Sequence, residues 1–162
     1  RPDKVTAALE QAGPGIVFGP CQPGEEKPLL DFLTQTFPGG WWYWTAKRLH
    51  AGDHAGLYLM REGGRVTGFA HIYTSAVRVI GPPIFWSPRL GRRYGGLGPI
   101  GVAGDVRGRG LGLGLLCRAV EHLRDQGVRR MAIDWTGLVE FYAQVGFGVW
   151  QTYWMSDARE LG

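Results

Sequence analysis

A glycine-rich segment at residues 101 to 114 contains the residues of this chain whose types and spacing could do chemistry. Glycine recurs along it, and Arg107 and Arg109 lie among the glycines. Because glycine has no Cβ, the backbone N–H groups of such a loop can converge on an anion, most effectively where the loop opens a helix. The segment therefore predicts a cradle for a diphosphate.

Two well-known phosphate-binding patterns do not fit this segment. The dinucleotide pattern G-x-G-x-x-G needs glycine at its sixth position, where counting from residues 108, 110 and 112 gives Leu113, Leu115 and Cys117. The mononucleotide P-loop needs Lys-Ser or Lys-Thr after its last glycine, and no lysine lies near the segment. The spacing Arg107-x-x-Gly110-x-Gly112 instead resembles the coenzyme A pyrophosphate loop of the GNAT superfamily of N-acetyltransferases.

The sequence on both sides of the loop predicts a βαβ unit. Residues 97 to 102 have the pattern of a short buried strand, and residues 128 to 135 alternate as a second strand. The intervening segment should form a helix that stops at Gly127, with one apolar face made of Leu115, Leu116, Ala119, Val120 and Leu123. The two strands of such a unit are expected to be parallel, with a right-handed crossover.

A second motif follows at the spacing of the same family. The segment from Leu138 to Phe147 resembles the short family helix that ends in Y-x-x-x-G-F, with Tyr142 as its tyrosine. The chain departs from the family at Trp135, where many members have an asparagine that helps to hold the pantetheine arm, and at Leu138, where alanine is frequent. The resemblance covers about residues 15 to 156 and is most specific from 97 to 147.

The resemblance implies a GNAT-like α/β fold, with antiparallel amino-terminal strands before the parallel βαβ pair and its coenzyme cradle. It implies acetyl-CoA as co-substrate and no metal. The implied coenzyme-binding residues are Ile100, Gly101, Val102, Arg107, Gly108, Arg109, Gly110, Leu111, Gly112 and Trp135. The alternative for residues 107 to 112 is a loop that opens a helix without binding a ligand.

Acetyl transfer from a thioester to an amine needs a base for the amine proton and an acid for the departing thiolate. The resemblance assigns the acid to Tyr142, although its ring could instead only pack on the sheet. The strand before the loop contains no carboxylate. The base therefore stays open between His71, Asp134 and a chain of waters.

The acceptor pocket is predicted from an aromatic block at residues 41 to 44 and from the long loop before residue 97. These rings, together with Phe85 and Trp86 of the loop, could form the wall of a pocket for an apolar or ring-bearing acceptor. The candidate pocket residues are Trp41, Trp42, Trp44 and Trp86. Core packing is expected for at least two rings of the group, because a helix there must bury one face. Three arginines would hold an anionic acceptor or be solvated: Arg89, Arg92 and Arg93.

The amino-terminal half predicts the rest of the sheet. Residues 4 to 12 and 28 to 37 suit helices, the second with proline in its first turn, and residues 16 to 18 could open a strand. Residues 56 to 61 and 66 to 73 are predicted strands of a hairpin joined through Glu62-Gly63-Gly64-Arg65. Residues 74 to 96 predict a long loop with a short strand at 76 to 80, and residues 149 to 155 predict a closing strand.

Length and composition suit one core, since the chain has 162 residues of which 44% are hydrophobic. We expect a single GNAT domain over residues 15 to 162, with residues 1 to 14 as a helical appendage or linker.

No apolar run is long enough to cross a membrane. Cys21 and Cys117 have no metal-site spacing, which predicts free thiols and a cytoplasmic location. The net charge of +4 comes from dispersed basic residues, which argues against a nucleic acid partner; a neighbouring domain or a homodimer is left open.

Three hypotheses for the function follow. The first is an N-acetyltransferase that moves the acetyl group of acetyl-CoA to an amine of a small molecule or peptide by direct attack in a ternary complex. The second is a non-catalytic acyl-CoA-binding domain, either a sensor or the pseudo-enzyme half of a tandem protein, which Trp135 and the missing carboxylate favour. The third is a nucleotide- or nucleic-acid-binding module, which would bind ATP or polynucleotide with a steep salt dependence.

Overall fold

A five-stranded sheet lies at the centre of the computed structural model, which describes residues 6, 7, 9, 10, 13, 15–77 and 87–152. The strands follow the chain in the spatial order β1 (Ile16–Pro20), β2 (Leu57–Glu62), β3 (Arg65–Thr74), β4 (Tyr94–Val102) and β5 (Arg130–Ala132). The first four strands pair antiparallel, and β4 pairs parallel with β5. This confirms the predicted mixed sheet with antiparallel strands before a parallel pair.

Helices cover both faces of the sheet. They are α1 (Glu26–Thr36), α2 (Gly40–His50), α3 (Ser87–Leu90), α4 (Leu111–Asp125) and α5 (Val139–Ala143), with a 3₁₀ turn at Gly104–Val106. On one face Leu115 of α4 lies beside Gly68 of β3, and on the other face Phe37, just after α1, lies over Gly101 of β4. The sheet thus separates the helix that follows the glycine loop from the pair that carries the aromatic block.

The local predictions that depend on short-range patterns are confirmed. The β2–β3 hairpin turns at Gly63 and Gly64, whose φ angles of +57° and +80° suit a two-residue turn. Leu115, Leu116, Ala119 and Leu123 are fully buried along α4. The helix ends at Asp125, and Gly127 has a left-handed φ of +86°. Residues 6, 7, 9 and 10 are helical, as predicted.

Several predicted boundaries are wrong. The strand expected over residues 128 to 135 is reduced to Arg130–Ala132, because β4 and β5 diverge beyond the pair formed by Gly96 and Ala132. Conversely, β4 begins at Tyr94, inside the predicted loop, and α1 begins at Glu26 rather than at residue 28. Residues 149 to 152 do not form the predicted closing strand, and residues 76 and 77 form no strand. The remainder of both predicted strands lies outside the described residues.

Candidate coenzyme cradle and active site

The loop that precedes α4 has the backbone conformation of a cradle. Gly108 and Gly110 have φ angles of +75° and +74°, in the left-handed region that favours glycine. Gly110 is the N-cap residue of α4, and no side chain caps the helix. Within the described part of the chain, the backbone N–H groups of residues 108 to 113 donate to no carbonyl or side chain. Unpaired N–H groups at the positive end of the helix dipole favour an anion here.

The two arginines of the loop differ in their surroundings. Arg109 forms an ion pair with Glu62 at the end of β2, with 2.8 Å between Nη2 and Oε1. This hydrogen bond lowers the pKa of Glu62. Arg107 is exposed and forms no ion pair with any residue that the structure describes. Arg107 can therefore bind an anion directly, whereas Arg109 must first release the Glu62 carboxylate.

The strand before the loop has a free edge among the residues that the structure describes. β4 continues for six residues after Gly96, the last residue that it pairs with β5, and no described strand pairs with its backbone from 97 to 102 on that side. This part of β4 includes Ile100, Gly101 and Val102, all half-buried. An extended chain with amide groups could add to this edge by backbone hydrogen bonds. The pantetheine arm of coenzyme A has this chemistry.

The same stretch of β4 carries an irregularity. Ile72 pairs with Leu97 and Ala70 pairs with Ile100, so Gly98 and Pro99 together lie opposite His71. A Cβ on Gly98 would meet no atom of the described structure within 4 Å, and the φ of +132° there favours glycine. The free edge and this bulge lie in the same part of β4.

Tyr142 lies in α5, on the wall of a groove beside β5. The groove has a volume of about 340 Å³, and its lining includes Asp134, Trp135, Tyr142 and Trp150. The ring of Tyr142 is buried, and this burial raises the pKa of its hydroxyl above the ordinary value of 10.0. No described residue forms a hydrogen bond with that hydroxyl. Tyr142 therefore stays protonated at neutral pH and has a proton to donate.

The two candidate bases lie in different surroundings. His71 is fully buried, with Nε2 2.8 Å from Thr45 Oγ1 and Nδ1 3.4 Å from the Tyr73 hydroxyl. Burial, with a contribution from the positive charge of Arg48, holds the pKa of His71 well below its usual range. Asp134 is half-buried and lines the groove together with Tyr142. The structure thus brings Asp134 to the groove, while a fully buried His71 cannot contact an acceptor.

The aromatic block forms the first turn of α2 and is exposed. Trp41, Trp42, Tyr43 and Trp44 are 38 to 54% exposed, so none of these four rings is fully buried, and core packing for two rings of the wider group that includes Phe85 and Trp86 stays a prediction. The residues that α2 buries are instead Thr45 and Arg48. Trp86 and Phe85 lie outside the described residues.

Trp41 is the ring of this block that reaches the sheet. Its ring centroid lies 5.0 Å from that of Phe37 and 5.8 Å from that of Phe69. Phe37 in turn covers Gly101, where a Cβ would approach the ring to 2.6 Å. Phe37 was not among the predicted pocket residues, although it lies just before the aromatic block in the sequence. Trp44 lies near Lys47, whose Nζ is 5.1 Å from its ring centroid.

Arg92 and Arg93 do not lie with these residues. They line a separate cavity of about 420 Å³ with Tyr94, at the other end of β4, and Arg89 lies on the short helix α3. The predicted role of the three arginines in holding an anionic acceptor therefore gains no support from the arrangement of Arg92 and Arg93.

Comparison with known proteins identifies the family to which this chain belongs. A family model described as the acetyltransferase (GNAT) family matches residues 24–147. The chain belongs to the GNAT family. A GNAT-family relative, an uncharacterised N-acetyltransferase of Methanocaldococcus jannaschii, is 28% identical over 113 residues, covering 66% of this chain and 45% of that protein.

Solved structures agree with the family assignment. A glucosamine N-acetyltransferase region of a fungal multi-domain GH3 β-N-acetylglucosaminidase has 32% identity and a TM-score of 0.83, over 92% of this chain and 18% of that chain. An aminoglycoside N-acetyltransferase in complex with CoA has 18% identity and a TM-score of 0.60, over 89% of this chain and 95% of that chain. The latter shows the GNAT fold alone. The chain thus spans less than half of the curated relative and less than a fifth of the fungal protein. Among the described residues, no helix is long and apolar enough to cross a membrane.

Proposed function

We propose that this GNAT domain transfers the acetyl group of acetyl-CoA to the amine of an amino sugar. The observation that carries the proposal is the uncapped start of α4, where two left-handed glycines and unpaired N–H groups stand next to the free edge of β4. A diphosphate linked to an extended amide chain matches both features at once. Neither a mononucleotide nor a polynucleotide would make use of the free strand edge.

In this proposal each part of the coenzyme has its own residues. The N–H groups of residues 108 to 113 and the Arg107 guanidinium bind the diphosphate. Backbone groups of Ile100, Gly101 and Val102 bind the pantetheine amides along β4. Arg109 supports the loop through Glu62, and Trp135 supplies an apolar surface at the end of β5. Acetyl-CoA supplies the thioester whose acetyl group is transferred.

The transfer requires two proton movements. An N–C bond forms between the amine and the acetyl carbon, and the C–S bond breaks. Asp134, directly or through a water, accepts one proton from the amine, and the Tyr142 hydroxyl gives one proton to the departing thiolate. Tyr142 suits this role because burial keeps its hydroxyl protonated. Asp134 suits the other because it lines the same groove.

The sugar acceptor is inferred from the aromatic residues and from one relative. Exposed indole rings offer flat apolar faces to the C–H groups of a pyranose ring, while the hydroxyls of the sugar stay hydrated. Trp41 offers such a face next to Phe37 and Gly101. The fungal relative is described as a glucosamine N-acetyltransferase region. Free thiols at Cys21 and Cys117 support the cytoplasmic location that we propose with this activity.

The test measures thiol release from acetyl-CoA in the presence of D-glucosamine. We expect release with glucosamine and none with D-glucose or N-acetyl-D-glucosamine, which lack the free amine but keep the ring. Calorimetric titration should show binding of acetyl-CoA and no binding of ATP or NAD. Acetyl-CoA binding without turnover on any amine would support the non-catalytic acyl-CoA-binding domain instead. Absence of acetyl-CoA binding would refute the proposal.

A further inference from the structure

Helix α2 reverses the usual arrangement of an amphipathic helix. Its buried residues, Thr45 and Arg48, are both polar, while its four consecutive aromatic residues are exposed. An ordinary surface helix buries its large apolar side chains and leaves polar ones in solvent. Polar anchors therefore hold α2 on the sheet beside the contact that Trp41 makes with Phe37 and Phe69, and more than a third of each aromatic residue stays exposed to a ligand.

The first anchor joins Thr45 to His71 of β3. Thr45 Oγ1 donates a hydrogen bond to the Trp41 carbonyl at 2.8 Å, which uses the single proton of the hydroxyl. The contact of 2.8 Å between Oγ1 and His71 Nε2 must then have Nε2–H as its donor. In a neutral imidazole Nδ1 is consequently the acceptor, and the Tyr73 hydroxyl lies 3.4 Å from it. One hydrogen-bonded chain thus runs from the Trp41 backbone to the centre of the sheet.

The second anchor is Arg48, one turn further along α2. Its Nε and Nη2 atoms lie 2.8 Å and 2.7 Å from Asp53 Oδ2, and Nη2 also donates to the Ile72 carbonyl at 2.9 Å. The guanidinium carbon lies 4.4 Å from the centroid of the Tyr73 ring. A Cβ at Gly56 would collide with the guanidinium, so glycine leaves the room that this anchor needs. Both anchors thus contact β3, Thr45 at His71 and Arg48 at the Ile72 carbonyl and the Tyr73 ring.

We propose that Thr45 and His71 form a latch that positions the aromatic rings of α2 for the acceptor, and that His71 is a positioning residue rather than the base. The inference rests on the proposed acetyl transfer to an amino sugar. His71 lies opposite Gly98 and Pro99, where β4 bulges beside its free edge, and Trp41 lies at the other end of the latch. The latch therefore connects the backbone of Trp41, the proposed sugar-binding residue, to His71 of β3. β3 pairs in turn with β4, the strand that would hold the thioester.

The kinetic test replaces Thr45 by valine, with Thr45→Ser as the matched control that keeps the hydroxyl. Thr45→Val keeps the shape of the side chain but removes the group that joins Trp41 to His71. We expect the KM for glucosamine to rise about tenfold, with the KM for acetyl-CoA within about twofold of wild type. Thr45→Ser should behave as wild type. An unchanged KM for glucosamine in a folded Thr45→Val protein would refute the latch.

The second variant, His71→Gln, separates a positioning role from a base. The glutamine amide can still donate to Thr45 but cannot take up a proton at neutral pH. We expect the acidic limb of the kcat/KM profile to remain in His71→Gln, and any change in the kinetic constants to be confined to the KM for glucosamine. Disappearance of that limb would assign the base to His71 and overturn the proposal.

A spectroscopic measurement needs no activity and keeps this inference separate from the proposed function. Nitrogen NMR of the free protein, assigned by comparison with His71→Gln, should show His71 as the neutral Nε2–H tautomer at pH 6.5, where a histidine of ordinary pKa is half protonated. Titration of His71 near its ordinary pKa, or the other tautomer, would refute the latch even if acetyl transfer is observed. Conversely, an inactive wild-type protein with the expected spectrum would refute the proposed function and leave the hydrogen-bonded chain established.

Discussion

The ring of Tyr142 lies 5.2 Å from Phe141 and 6.1 Å from Phe147, in edge-to-face contacts within the core. The same residue lines the groove beside β5 together with Asp134. Packing and proton donation were alternatives for this tyrosine at the level of the sequence. The structure makes them compatible, because a ring held by its neighbours also lines the groove.

At the scale of this residue, we predict that Tyr142→Phe lowers kcat by about 10²-fold and leaves acetyl-CoA affinity nearly unchanged. The change removes the proton donor and keeps the aromatic contacts. Steady-state kinetics and calorimetric titration measure the two quantities. Tyr94→Phe serves as the control, since Tyr94 lines the separate cavity at the start of β4. An unaffected kcat in Tyr142→Phe would assign the tyrosine to packing alone.

At the scale of the elements, α4 has a left-handed glycine near each end. Gly108 lies in the loop before the helix with φ +75°, and Gly127 lies after it with φ +86°. A Cβ at either position would meet no atom of the described structure within 4 Å. The two glycines thus make the same conformational demand, but only Gly108 belongs to the proposed cradle.

We therefore predict that Gly108→Ala and Gly127→Ala each destabilise the fold by about 1–2 kcal/mol, because a non-glycine residue is strained at these φ angles. Only Gly108→Ala should weaken acetyl-CoA binding, since Gly108 lies in the loop whose backbone N–H groups would bind the diphosphate. Denaturant unfolding and calorimetric titration check the two expectations. Equal acetyl-CoA affinity in both variants would remove the loop from the proposed site.

At the scale of the whole molecule, ion pairs join α1 to the strands and loops around it. Arg61 of β2 binds the carboxylate of Glu25 and the carbonyl of Pro20, and His54 binds Glu26 with 2.7 Å between Nε2 and Oε1. The hydrogen bond to Glu26 raises the pKa of His54 above its ordinary value of 6.5. The same pair lowers the pKa of Glu26, although a backbone hydrogen bond of its own amide is the larger cause.

This pair makes the stability of the whole fold depend on pH. Folded protein holds the His54 proton more tightly than the unfolded chain, so the contribution is fully present below about pH 6.5 and is lost as the pH rises through the raised pKa. We predict that the stability difference between wild type and His54→Asn shrinks as the pH increases from about 5.5 to 8.5. Urea unfolding of both proteins at each pH measures this difference. Burial of His71 makes the stability change with pH in the opposite direction. This effect is common to both proteins, so it cancels in the difference between them. A difference that is constant with pH would contradict the prediction.

Short-range patterns were enough to predict the βαβ unit, the hairpin and the glycine loop that opens α4. The apolar stripe of α4, the paired glycines at residues 63 and 64, and the spacing from Arg107 to Gly112 each express a rule that acts within a few residues. The fold class followed from the order of these elements. The division into residues 1 to 14 and 15 to 162 stays a prediction.

Contacts between distant parts of the chain decided the rest. The length of β5 depends on where two strands diverge, and the exposure of the aromatic block depends on polar anchors whose partners lie far along the chain: Thr45 with His71, and Arg48 with Ile72. Composition alone assigns tryptophan to the core and arginine to the surface, and α2 does the reverse. Hydrogen-bond geometry also separates the two candidate bases, because burial and partners are properties of the assembled sheet. Periodicity within one segment carries no information about how deeply these two residues are buried or which distant residues contact them.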